Sequence, residues 1–155
     1  MRIYERELLV AEDGTAYLES ISSKNYSKLE KINTPKEIHQ IMVDNYNLDK
    51  KAEEHIYMIA INKKSKPISF FEISHGSADA SIVDVRGVML KALLSNATNV
   101  FLVHNHPSKD ITPSKEDVRT TTKVKEACQL VGLELVDHII IGGSNYFSFR
   151  ESCLI

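Results

Sequence analysis

The sequence predicts an α/β protein, a mixed β-sheet with helices packed on it. Three observations carry this. The runs "HIYMIAIN" at 55–62, "NVFLVH" at 99–104 and "ELVDHIIIG" at 134–142 are short, apolar and rich in β-branched residues. Between the strand-like runs, residues 35–46, 84–97 and 113–131 place apolar side chains at helical spacing. The element order reads β-β-α-β-β-α-β-α-β-β, which alternates strands and helices as a layered sheet requires. At 155 residues the chain suits one domain with one sizeable core, divided into a hairpin and polar loop at 1–33 and a core at 34–155.

Each element follows from local chemistry. Residues 2–10 and 14–21 alternate around "AEDGT", a hairpin with Asp13-Gly14 in the turn. Residues 22–33 are polar and Lys-containing and read as a loop or irregular edge. "TPKE" opens a helix: Thr34 is the N-cap, Pro35 takes the first helical position, and Glu37 closes a capping box. Ile38, Ile41 and Met42 form its apolar face. The strands at 55–62 and 67–74 pair antiparallel across "KKSK", and 77–83 is a loop or short extension. Val85, Val88, Met89, Ala92 and Leu93 mark the second helix. Thr112 is the expected N-cap of the third, whose inner face is Val124, Ala127, Cys128 and Val131, with Gly132 ending it. Gly142-Gly143 turns the chain into a last strand around "YFSFR".

Composition narrows the function. Hydrophobic residues make up 43% and charged residues 26%, an ordinary globular balance. The net charge is −2, without the basic excess of a dedicated nucleic-acid binder, so charge gives DNA binding no support. Two cysteines, Cys128 and Cys153, are too few to staple a fold and read as reduced thiols. No apolar run approaches the ~18 residues that span a bilayer, and "MRIYERELLV" lacks the core of a signal peptide. The expectation is a cytoplasmic protein with no membrane partner.

"VHNHPSKDITPSKED", at 103–117, concentrates the chemistry. His104 and His106 are two apart at a strand end, where i and i+2 point to one side. Two imidazoles so placed share one divalent ion, and a catalytic zinc wants a third protein ligand with one position left to water. Asp117 supplies it if the turn at 107–112 folds the next helix back. The water needs a proton acceptor. Glu72, a carboxylate inside the apolar "SFFEIS", is the first candidate, because burying it without a partner is costly. Glu54 and Glu53 stand behind it. Ser114 either assists an oxyanion or serves only as a first-turn helix residue. His138 is a partner of a ligand imidazole or a satisfied core histidine, and Asp137 is placed to orient a ligand. His55 and His75 read as surface residues, with His75 able to border the cleft. Asp110 and Glu116 read as solvated loop charges.

The stretch "HNHPSKDITPSKED" resembles the JAMM motif of JAB/MPN metalloproteases, His-x-His-Pro, six residues, Ser-x-x-Asp: His104, His106, Pro107, Ser114 and Asp117 meet every spacing. The flanks "FLVHNHPS", "VDHIIIGGSNYFSFRE" and "GSADASIVDVRG" resemble the RadC branch, over roughly residues 54–155. The resemblance implies a cytidine-deaminase-like three-layer sandwich and one zinc per chain held by His104, His106 and Asp117. It implies Glu72 as general base, Ser114 as oxyanion helper, and hydrolysis of a peptide or isopeptide bond. The RadC branch also implies a second possibility, a DNA-associated accessory protein whose metal is mainly structural. Two features depart from the pattern. The helix-hairpin-helix segment common upstream in RadC proteins is replaced by a strand pair and a polar stretch. Where the branch often has His-Pro-Arg-Glu, this chain has "DVRG", with Gly87 in place of Glu. A zinc nucleobase deaminase is excluded, because its His-x-Glu and Pro-Cys-x-x-Cys elements are absent.

Overall fold

In a computed structural model, which describes residues 1–76 and 83–155, ten elements follow the predicted order: β1 (Arg2–Val10), β2 (Ala16–Asn25), α1 (Pro35–Tyr46), β3 (Glu54–Ile61), β4 (Pro67–Gly76), α2 (Val85–Leu94), β5 (Asn99–Asn105), α3 (Lys115–Leu130), β6 (Glu134–Gly142) and β7 (Asn145–Ser148). The strands form one seven-stranded sheet in the order β2-β1-β4-β3-β5-β6-β7. The β1–β4 and β5–β6 pairs are parallel and the rest antiparallel, so the sheet is mixed. The loop or extension expected at 77–83 lies, save for Val83, outside the described residues.

Strand alternation sorts the core into two layers. On one face Tyr57, Ile59, Phe70, Phe101 and Val103 pack beneath Ile38, Ile41 and Met42 of α1. On the other, Ile56, Met58, Phe71, Val100 and Leu102 pack beneath Val88 and Ala92 of α2 and Val124 and Cys128 of α3. The result is the three-layer α/β/α sandwich. Parity within β5 is therefore a map: odd positions face α1, and even positions, His104 among them, face α3.

Several boundaries depart from the sequence reading, and two of them have a clear local cause. β2 runs on through Ser22–Asn25, because its exposed face accepts polar residues and β1 supplies a full ladder of partners, Arg2 opposite Asn25 included. The N-cap of α3 is Ser114 rather than Thr112: its hydroxyl accepts the Asp117 N–H at 3.1 Å, while the Asp117 carboxylate accepts the Ser114 N–H at 2.7 Å. That reciprocal pair satisfies two of the amide groups left over at a helix start. The same arrangement at Thr34 and Glu37 opens α1 as expected.

Candidate metal centre

The site forms where β5 ends beneath the first turns of α3. His104, only 2% exposed, is the last inward residue of β5 on the α3 face. His106 follows where the strand has ended but its N–H still bonds to the Ile141 carbonyl of β6 at 2.9 Å. Residues 107–113 then double back. Gly142 permits this, because a Cβ there would meet the Lys109 carbonyl oxygen at 2.6 Å and Ile111 Cγ2 at 2.7 Å. Capping by Ser114 fixes the first turn of α3, and Asp117 is thereby aimed at the two imidazoles.

His104 Nε2 and His106 Nε2 lie 3.0 Å apart. Asp117 Oδ1 is 3.2 Å from the first, and Oδ2 is 3.5 Å from the second. Ligand atoms of a tetrahedral zinc with bonds of ~2.0–2.1 Å stand roughly 3.3 Å apart, so these spacings match that size. The hydrogen-bond network assigns the protons behind the cluster. Thr121 Oγ1 donates to the Asp117 carbonyl at 2.6 Å. It must therefore accept from His138 Nδ1–H, also at 2.6 Å. Neutral His138 then accepts at Nε2 from His104 Nδ1–H, 2.8 Å away. His106 Nδ1–H donates to the Asp110 carbonyl at 2.6 Å. Both Nε2 atoms thus face the Asp117 carboxylate and are the nitrogens left to a divalent ion, or in its place to a proton shared with Asp117.

The electrostatics agree. Burial raises the Asp117 pKa, but hydrogen bonds from His104 and His106 outweigh it and hold the carboxyl far below the usual range. The Asp117 hydrogen bond raises the pKa of His106 against the opposing effect of burial. A proton there stands in the place a cation would take. His138 is pushed well below the ordinary histidine value, by burial first and by the adjacent His104 second. Two imidazoles and one carboxylate form a mixed N/O set that suits zinc and admits other divalent ions.

The structure thus brings together His104, His106, Asp117 and Ser114, with His138 as the partner of a ligand. Asp137 instead accepts from Ser148 Oγ and from the His138 and Arg150 amides, so it ties β6 to the β7 end and touches neither ligand. Gly87 lies in the first turn of α2, where the Asp84 carboxylate folds over it: a Cβ would meet Asp84 Oδ2 at 2.7 Å. Aspartate at 84 and glycine at 87 are sterically matched, whereas a larger residue at 87 would displace Asp84.

Glu72 is not brought to the cluster. It pairs in register with Tyr57, next to Phe70 and Ile59 on the α1 face, and its Oε1 lies 2.6 Å from His55 Nδ1. His75, its neighbour on that face, does not border the metal centre either. The carboxylate in reach comes from β3. Ile56 pairs with His104 in the antiparallel β3–β5 ladder, so the next same-face step along each strand sets Glu54 against His106. The Glu54 charge contributes to raising the His106 pKa. Glu53 is exposed, and its carbonyl accepts from Asn105 Nδ2 at 3.0 Å.

An α/β/α sandwich with a His-x-His pair at a strand end and an aspartate on the following helix is the arrangement of a JAB-type domain with a candidate metal centre. A family model described as RadC-like JAB domain matches residues 32–154, and the chain belongs to that family. Similar proteins include a UPF0758 protein of Clostridium acetobutylicum, 39% identical over 85% of this chain and 58% of the relative. Another from Staphylococcus haemolyticus is 33% identical over 86% and 58%, and one from Streptococcus gordonii is 39% identical over 67% and 46%. The chain thus spans about half the length of the curated relatives it matches. Among the described residues no helix is long and apolar enough to cross a membrane.

Proposed function

We propose that this domain is a metal-dependent hydrolase of the JAMM type acting on a peptide or isopeptide bond, with one zinc per chain held at this centre by His104, His106 and Asp117. The observation that carries the reading is the proton pattern. Nε2 of His104, Nε2 of His106 and the Asp117 carboxylate converge at spacings of 3.0, 3.2 and 3.5 Å, while the His138–Thr121 relay behind His104 and the Asp110 carbonyl behind His106 engage the Nδ1–H groups and leave Nε2 to a metal. When bound, a zinc ion of this coordination supplies a water of lowered pKa and polarises a carbonyl oxygen.

The chain's own groups do the rest. Glu54, opposite His106 in the β3–β5 register, accepts the proton of the attacking water and returns it to the leaving amine. Ser114 Oγ accepts the Asp117 N–H, which leaves its own hydrogen to donate to the oxyanion that forms at the substrate carbonyl. Exposure rises from His104, through His106, to Ser114 at the rim, so a substrate approaches from the helix side.

The test is hydrolysis of quenched peptide and isopeptide libraries by zinc-loaded protein, beside Glu54→Gln. Cleavage by the wild type, lost in a variant that keeps its zinc, supports the reading. Equal cleavage by both overturns the role of Glu54, and loss of zinc-dependence overturns the metal chemistry.

A further inference from the structure

A second set of metal-ligating side chains lies on the opposite face of the sheet. His55 on β3 and His75 on β4 are cross-strand partners, their rings 5.4 Å apart and 21° from parallel. Glu72 Oε1 is 2.6 Å from His55 Nδ1 and 3.4 Å from His75 Nδ1. On a regular strand, residues 72 and 75 would project from opposite faces. A bulge prevents this: Ile56 pairs with Ser74 and Tyr57 with Glu72, leaving Ile73 without an opposite number. Glu72 and His75 therefore emerge on the same side, beside His55. Bulges re-aim side chains in this way next to working sites.

We propose that His55, Glu72 and His75 form a second divalent-cation site, of the imidazole-preferring class that takes Zn²⁺, Ni²⁺ or Cu²⁺. One ring nitrogen from each histidine and one carboxylate oxygen, all within 4.8 Å of one another, make the donor set. It shares no residue with the His104 centre, so the two sites fill independently. The three side chains grade from floor to rim, with exposures of 11% for His55, 36% for Glu72 and 61% for His75, which leaves an open coordination side for water or a ligand. The surroundings favour a cation. Burial first, then the charges of Glu72 and Glu5, push the Tyr57 hydroxyl up, so a second carboxylate faces the same space. Glu5 and Glu7, with Arg6 as the counter-charge, line the groove that adjoins Glu72 and His75. An ion here would join β3 to β4 across their paired ends.

The experiment is equilibrium dialysis of tag-free full chain against Zn²⁺, with metal content measured on wild type, His75→Ala, His106→Ala and the double variant. The expected contents are about two, one, one and none per chain, taking one zinc per three-ligand site. Glu72→Gln should weaken the second site at least about tenfold, since losing a ligand costs no less than losing its supporting partner. His75 is exposed, and circular dichroism of His75→Ala should match the wild type. Cu²⁺ loaded into His106→Ala should give an electron paramagnetic resonance spectrum with coupling from two imidazole nitrogens, and that coupling should be absent in the double variant. Unchanged zinc content in His75→Ala, or an empty His106→Ala protein, overturns the second site and leaves only a His–Glu ion pair. Failure of the first centre reads differently: His106→Ala would keep the wild-type content while His75→Ala lost zinc.

Discussion

Among the described residues two histidine–carboxylate clusters lie on opposite faces of one sheet, and they differ in what stands behind them. At the His104 centre each imidazole Nδ1–H has a partner: buried His138 and Thr121 behind His104, and the Asp110 carbonyl behind His106. At the His55 cluster the ligand atoms meet each other directly, with His55 Nδ1 already on Glu72, and the outermost ligand is largely in water. Metal affinity depends on how much ordering is done before the ion arrives. The first centre is preorganised by a relay running into α3. The second rests on a bulge and a cross-strand pair, so it should be the weaker and the more readily exchanged.

The largest effect expected from breaking this asymmetry is on chemistry. Glu54→Gln should lower turnover of any cleavable substrate by about 10²–10⁴-fold, the scale of a lost general base, with zinc content unchanged. Glu72→Gln should leave that turnover as it is; steady-state kinetics on the two variants compare the faces directly. Next comes the relay. Thr121→Val removes the acceptor that fixes the His138 tautomer, and competition against a fluorescent chelator should show affinity at the first centre falling by about 10–100-fold.

Packing comes third. Gly142→Ala places a methyl group against the Lys109 carbonyl, and overpacking of this kind costs about 1–3 kcal/mol. Denaturant unfolding should show that loss, together with weaker zinc binding, because the same loop carries His106 toward Asp117.

The smallest effect concerns pH, and its sign differs with and without metal. The folded pKa of His106 lies above its unfolded value because of Asp117. In metal-free protein this stabilisation is therefore full below about 6.5, the unfolded histidine value, and is lost as pH rises through the folded pKa. Zinc needs the deprotonated imidazole, so binding releases that proton. The rise in Tm on adding zinc should be larger at pH 8 than at pH 5.5. A rise that shrinks with pH would mean that His106 is not a ligand.

Local signals were legible in the sequence, and pairings across the sheet were not. Thr34 and Glu37, three apart, announced a helix start because a capping box is a contact between near neighbours. His104, His106, Ser114 and Asp117 fall within fourteen residues, and their spacing over a strand end and a helix start carried the centre. The Ser114–Asp117 pair also holds the N-cap, since Lys115, three residues after Thr112, cannot close a capping box as Asp117 does for Ser114. Glu54 could not be preferred over Glu72 from spacing. Which carboxylate meets the histidines depends on β3 lying antiparallel beside β5, a pairing across about fifty residues. Glu72 stood out as a charge in an apolar strand, and the oddity was real. Its explanation is a bulge and two histidines on the other face, which alternation alone does not reveal.

The most direct measurement of the central claim is the zinc content of tag-free protein in the His75→Ala background, with and without Asp117→Ala. About one zinc per chain is expected in the first and nearly none in the second, because Asp117 is the only carboxylate among the three ligands. Equal zinc in the two proteins would contradict it and place the metal elsewhere.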